Sequence, residues 1–255
     1  MRIVSLCPSL TELAFALGRG DALVGRTKFC VQPHGAVERI EKVGGTKNPK
    51  IDRIVELAPD LVLMNEEENR IEDAEALRAQ GIACHTSMPR TVEEAIAVVR
   101  SIGEALDRRE AAATLADDIQ ERWHTVKEEA ARTPPVRLAY LIWREPWMTV
   151  SGGTYVSALL ADAGGVNVFA DRSDRYPTIT AEELRAASPH VVLLPSEPFP
   201  FGERHIDELA RATGIARNRF RLADGELLSW HGARTGDGVE YARAMLVSAY
   251  APSDA

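Results

Sequence analysis

The chain has 255 residues, a formal net charge of −8, 45% hydrophobic residues and 27% charged residues. That balance describes a globular chain with a sizeable core, and its acidity argues against a nucleic-acid polyanion as the main partner. The three cysteines, Cys7, Cys30 and Cys84, are scattered without a C-x-x-C, which excludes a disulfide framework. No run approaches the ~18 apolar residues of a membrane span. The first residues, Met-Arg-Ile-Val-Ser-Leu, do not read as a signal peptide. The expected location is therefore cytoplasmic as written, or periplasmic if a signal was removed.

In chain order, residues 2–6 read as a short apolar strand. Ser9-Leu10-Thr11-Glu12 reads as a capping box opening a helix that Gly18 closes. Residues 22–25 suggest a second strand, and residues 26–45 lack a period and read as loop and turns. Pro49 opens a short helix, Pro59-Asp60 breaks it, and Leu61-Val62-Leu63-Met64 has the unbroken apolar character of a buried parallel strand. The acidic stretch Glu66-Glu67-Glu68 follows. A helix over 70–80 ends at Gly81, residues 82–85 form a strand, and Thr91 opens a helix reaching about residue 106.

A long helix over 107–132 comes next. Its apolar positions Ala112, Leu115, Ala116, Ile119, Trp123, Val126 and Ala130 form one stripe at helical period, and Thr133-Pro134-Pro135 stops it. After it the programme repeats. Residues 136–142 are a strand and 154–163 a helix. Thr180-Ala181-Glu182-Glu183 is a capping box, Val191-Val192-Leu193-Leu194 a buried strand, and 203–213 a helix ended by Gly214. Aligning ELAPDLVLMNEEE with AASPHVVLLPSEP places Pro59 on Pro189, Leu63 on Leu193 and Glu67 on Glu197. The expected fold is α/β with two lobes, each a parallel sheet flanked by helices, joined by one long helix. The boundaries are 1–106, 107–133 for the backbone helix, and 134–255.

Ligands of open α/β sheets sit beyond the carboxyl ends of the strands. Here those ends are residues 7–9, 26–32, 65–69, 143–147, 195–201 and 229–234. They hold Trp143, Trp147 and Trp230 with Phe29, Phe199 and Phe201, but few catalytic pairs. Flat rigid side chains suit a large, planar, partly apolar ligand.

The stretches RIVSLCPSLTELAFALG, VGRTKFCVQP and KVGGTKNPKIDRIVELAPDLVLMN, with the central helix, resemble the class III substrate-binding proteins of ABC importers. The S-x-[ST]-E-hydrophobic motif lies at Ser9–Leu13, and I-x-x-L-x-P-D-L-V runs from Ile54 to Val62. The chain is most similar to the vitamin B12-binding type, with ferric-siderophore and haem receptors as relatives. The resemblance implies a ligand cleft that closes only slightly, a monomer, and a glutamate on each lobe that docks onto arginines of the permease. The candidates are Glu67, Glu68, Glu72, Glu197 and Glu203. It also implies that cobalamin, haem or a ferric siderophore is a bound ligand and not a catalytic cofactor.

Where the B12-binding type has a tryptophan this chain has Asn65, and its ligand loop, which keeps Trp230, adds His231 and Arg234. Lys28, Arg144 and Arg234 are candidates for acidic ligand oxygens. Asn65, Tyr176 and His231 are candidates for hydrogen bonding, and His231 for an axial metal nitrogen. Phe29 and Cys30 complete the ligand set, Cys30 as a soft donor. No nucleophile elbow or phosphate loop occurs, and His231 with Glu226 is the only nearby acid–base pair. The chain is therefore not expected to be an enzyme. A cytoplasmic enzyme or sensor handling corrinoids or metal chelates is the alternative from another class.

Overall fold

A computed structural model describes residues 1–248. The chain divides into two compact units. Unit 1 comprises Met1–Pro89, Glu93–Ile119 and His231–Arg234, and unit 2 comprises Arg90–Val92, Gln120–Trp230 and the chain from Thr235 on. These units depart from the expected boundaries. The long helix belongs partly to each, and a four-residue segment of the second half joins the first.

Unit 1 is built from β1 (Ile3–Ser5), α1 (Pro8–Ala16), β2 (Leu23–Arg26), β3 (Glu41–Lys42), α2 (Ile51–Glu56), β4 (Leu61–Asn65), α3 (Ile71–Ala79), β5 (Ala83–Ser87), α4 (Val92–Ala105) from Glu93 on, and the first half of α5 (Arg109–Ala130). Its sheet is parallel throughout, in the order β3-β2-β1-β4-β5. Every residue of β4 is buried, as its unbroken apolar run demands. Val4, Leu6, Val62 and Met64 pack with Ala74 and Leu77 of α3. Strand β3 lies inside the stretch read as loop, because a two-residue edge strand leaves no period. The capping box at Ser9 is also corrected. Pro8 takes the first helical turn, Cys7 is the N-cap without a side-chain bond, and Thr11 instead donates to the Ser5 hydroxyl at 2.8 Å.

α5 is 22 residues long, about 33 Å at ~1.5 Å per residue. Ala112, Ala116, Ile119, Val126 and Ala130 are buried as the stripe requires. Trp123 is half-buried, its indole N–H donating to Asp162 at 2.7 Å.

Unit 2 continues with β6 (Val136–Trp143), β7 (Met148–Thr149), α6 (Tyr155–Asp162), β8 (Gly165–Asn167), α7 (Ala181–Ala186), β9 (Val191–Pro195), α8 (Glu203–Thr213), β10 (Phe220–Ala223), α9 (Gly225–Ser229) and α10 (Thr235–Ser248). Its sheet runs β10-β9-β6-β7, with β8 also pairing β6, and only β7 is antiparallel. The Thr180 capping box forms: its hydroxyl accepts the Glu183 N–H at 3.2 Å, and Glu183 accepts the Thr180 N–H at 2.8 Å.

The sequence repeat has a structural signature. Ala58 and Ser188, each just before the aligned prolines, take the left-handed φ values 45° and 47°. Asp60 N–H donates to the Arg2 carbonyl and His190 N–H to the Arg137 carbonyl, both at 2.8 Å. The Arg2 guanidinium returns to the Leu57 carbonyl at 2.8 Å, and that of Arg137 to the Ala187 carbonyl at 2.6 Å. One arginine in each unit thus satisfies a carbonyl at the helix end before the buried strand. The two units repeat one folding solution.

Candidate functional site

In unit 1 the carboxyl edge of the sheet is polar. Asn65, the last residue of β4, is 3% exposed. Its Oδ1 accepts the N–H groups of Glu67 at 2.9 Å and Glu68 at 3.2 Å, a turn that aspartate and asparagine favour at strand ends. That fixes the amide orientation and directs Nδ2 to His231 Nε2 at 3.0 Å. An amide nitrogen only donates, so Nε2 accepts and the imidazole is neutral. Burial, opposed by the Glu67 charge, pushes the His231 pKa down to about 4. Glu67 and Glu68 belong to this turn, and the Glu67 carbonyl accepts from Lys47.

His231 is 6% exposed, and the ring nitrogen facing Asn65 is occupied. A metal at Nε2 would have to displace the Asn65 amide, so an axial role at that nitrogen competes with this bond. Among the described residues no group of three or more His, Cys, Asp and Glu side chains is placed to hold a metal ion. Cys30, expected as a soft donor, is enclosed. It is 0% exposed, its thiol lies 3.1 Å from the Thr27 hydroxyl, and its carbonyl accepts from Arg26. Burial raises its pKa, so it is a packed thiol and not a presented thiolate. Next to it Lys28 and Phe29 are exposed, with the Lys28 ammonium 4.9 Å from the Phe29 ring centroid.

The guanidinium of Arg234 donates to Glu12 at 2.6 Å, and both side chains are 19% exposed. The motif glutamate of the first helix is therefore the internal counter-charge of the loop arginine.

In unit 2 the strand ends carry linked aromatic rings. Trp143, the last residue of β6, is 43% exposed and meets Phe199 edge-on at 5.7 Å. Phe199 meets Phe201 at 4.8 Å, and Phe201 stacks on half-buried Trp147 at 6.3 Å. His205 closes the cluster, 5.2 Å from Phe199 and 5.6 Å from Phe201. It was missed at the sequence level, and the signal was its place at the third position of α8, where Nδ1 accepts the Gly202 N–H at 2.9 Å. Tyr176 is half-buried, with Arg175 5.8 Å from its ring. Arg144 is held by Glu208 at 3.0 Å and Glu145 at 2.8 Å.

Trp230 is 7% exposed, and its indole N–H donates to Glu197 Oε1 at 2.5 Å. Ser229 Oγ donates to the same oxygen at 3.1 Å. Glu197, an expected docking residue, is half-buried and holds the indole by one carboxylate oxygen. Glu68, Glu72 and Glu203 are exposed, and Glu72 and Glu203 sit on corresponding helices. The latter two are each 66% exposed, at the first turn of α3 and α8 respectively, the helices that follow β4 and β9.

Residues 3–218 match the model of the periplasmic binding protein family. The vitamin B12-binding protein of Vibrio cholerae serotype O1 is 27% identical over 239 residues, covering 94% of this chain and 86% of the relative. The crystal structure of the periplasmic vitamin B12-binding protein BtuF of Vibrio cholerae superposes with a TM-score of 0.85 at 26% identity, covering 98% of both chains. The periplasmic heme-binding protein RhuT from Roseiflexus sp. RS-1, in apo form, reaches a TM-score of 0.84 at 25% identity over 98% of this chain and 97% of its own. These relatives overturn the cytoplasmic expectation. The N-terminal residues read for a leader are strand β1 of the fold, so they carry no information on compartment. The family match, the full-length likeness and the paired α/β units joined by α5 make this chain a member of the periplasmic binding protein family.

Proposed function

We propose that the protein captures a corrinoid of the cobalamin type for an ABC importer, by reversible binding without turnover. The observation that carries this reading is the internal pairing of the cations that an acidic ligand would need. Arg234 is matched by Glu12, and Arg144 by Glu208 and Glu145, which leaves Lys28 as the exposed cation of the candidate set. A haem brings two propionates and seeks an axial donor. A corrin ring brings mainly neutral amides around a broad apolar face, which suits rings that already have edge and face partners.

Trp143, Trp147 and Tyr176 offer surface in unit 2, and Phe29 and Lys28 in unit 1. Trp230 and His231 contribute the edges that burial leaves them. Glu72 and Glu203 present the loaded protein to arginines of the permease, and the protein acts as a monomer. Likeness to the cobalamin-binding relative over nearly the whole chain supports the reading.

The test is intrinsic tryptophan fluorescence during titration with cyanocobalamin, haemin and a ferric siderophore. Saturable quenching by cyanocobalamin at micromolar concentration or below, with weaker response to the other two, is the expected result. Quenching by haemin or the iron chelate alone would reassign the ligand, and no saturable response to any of the three would reject capture of this ligand class.

A further inference from the structure

The Glu197 carboxylate sits where three pieces of unit 2 converge. It lies in the loop after β9 and accepts the Trp230 indole N–H at 2.5 Å. The same oxygen accepts the Ser229 hydroxyl at 3.1 Å. The third piece is Gly225, the first residue of α9. A Cβ there would fall 2.7 Å from Glu197 Cγ and 2.8 Å from Glu197 N, so only glycine lets α9 approach this closely. Gly225 N–H in turn donates to Ser196 Oγ at 3.0 Å. The contact is built from both sides of the chain, and it commits one carboxylate oxygen to the indole N–H and the Ser229 hydroxyl.

Trp230 keeps only 7% of its surface, so what it offers a ligand is one edge of the ring, and its orientation decides which edge. An indole has a polar N–H edge and an apolar carbon edge. With the N–H committed to a carboxylate, the polar edge is satisfied within the protein. We propose that Glu197 is a positioning residue that fixes Trp230 so that the carbon edge alone faces the ligand, and thereby favours packing against the apolar face of a ring over hydrogen bonding to acceptors at its periphery. This rests on the reading of Trp230 as part of the binding surface. Asn65 does the corresponding work in unit 1, where it holds His231 by the ring nitrogen.

The test combines nuclear magnetic resonance of the indole N–H groups with cyanocobalamin titration. Four tryptophans give four indole signals. Glu197→Gln keeps an oxygen acceptor but removes the charge. It is expected to move the Trp230 signal upfield, leave the other three in place, and keep the dissociation constant within about twofold. Glu197→Ala removes the acceptor and is expected to weaken cyanocobalamin binding at least fivefold. Trp230→Phe keeps a flat ring and deletes the N–H, so adding Glu197→Ala in that background should cost nothing more. An unmoved Trp230 signal in Glu197→Gln, or an equal loss from Glu197→Ala with and without the indole N–H, would overturn the proposal. If the unaltered protein fails to bind cyanocobalamin, the functional reading falls, while the indole signals still decide whether Glu197 positions the ring.

Discussion

Asn65 and His231 are 166 positions apart in sequence, yet the Asn65 amide donates to His231 Nε2 at 3.0 Å. The bond requires a neutral imidazole, and burial supplies one by lowering the pKa to about 4. Between that value and the ordinary histidine value near 6.5, the unfolded chain holds a proton that the folded chain does not. Stability therefore falls as pH drops through this window and levels off below it. The lost contribution is about 3 kcal/mol at full extent. Thermal melting of the unaltered protein and of His231→Gln from pH 7.5 to 4 should converge as pH falls. Parallel melting curves would show that His231 titrates normally.

The ion pair of Glu12 and Arg234 yields a prediction about ligand charge. Both groups are 19% exposed, so removing one leaves the other partly desolvated without its partner. Arg234→Ala should lower stability by about 1–3 kcal/mol. Glu12→Gln instead removes this counter-charge from the arginine, and it should tighten haemin binding severalfold while changing cyanocobalamin affinity little. Isothermal titration of both ligands against both proteins gives the answer, and an unchanged ratio of affinities would mean that Arg234 faces no ligand charge.

Two tryptophans separate binding from stability. Trp143 is 43% exposed, so Trp143→Ala should weaken cyanocobalamin binding about tenfold, or 1.4 kcal/mol, with melting nearly unchanged. Trp230 is buried and hydrogen-bonded, so Trp230→Ala should also cost about 3 kcal/mol of stability through the cavity it leaves. Denaturant unfolding beside ligand titration distinguishes the two, and equal stability losses would place Trp143 in the core.

Much of this architecture is legible in the sequence because it rests on local rules. The apolar runs of β4 and β9, the Thr180 capping box, Gly214 with its left-handed φ of 71° and the α5 stripe all follow from periodicity and turn chemistry. The repeat could be aligned because Pro59 and Pro189 break corresponding helices. Strands β3 and β7, of two residues each, and β8, of three, were not legible, since pairing across the sheet creates them and no period marks them. Candidate residues could be named from their place in the chain, but their pairings could not. Position after a strand pointed to Asn65 and Glu197, whereas Trp230 and His231, expected at a strand end, instead follow the short helix α9. That Glu197 would serve Trp230, and Asn65 serve His231, depends on tertiary pairing over 33 and 166 positions.

Glu72 and Glu203 carry the last prediction. Both lie in the first turn of helices that follow corresponding strands, and each already has an arginine of its own unit beside it, Arg70 and Arg217 respectively. Exposed pairs of this kind contribute about 0–1 kcal/mol, so an incoming permease arginine can replace the resident one at small cost. Charge reversal is far more severe, because it sets like charges against each other at the contact. Glu72→Lys and Glu203→Lys should each abolish stimulation of the importer's ATP hydrolysis in proteoliposomes, while cyanocobalamin affinity stays within about twofold. The loss should be partly recovered by raising salt, which screens repulsion between exposed charges. Full stimulation by either variant would remove that glutamate from the docking surface. A parallel loss of ligand affinity would instead mean that the helix start supports the binding site and not the permease contact.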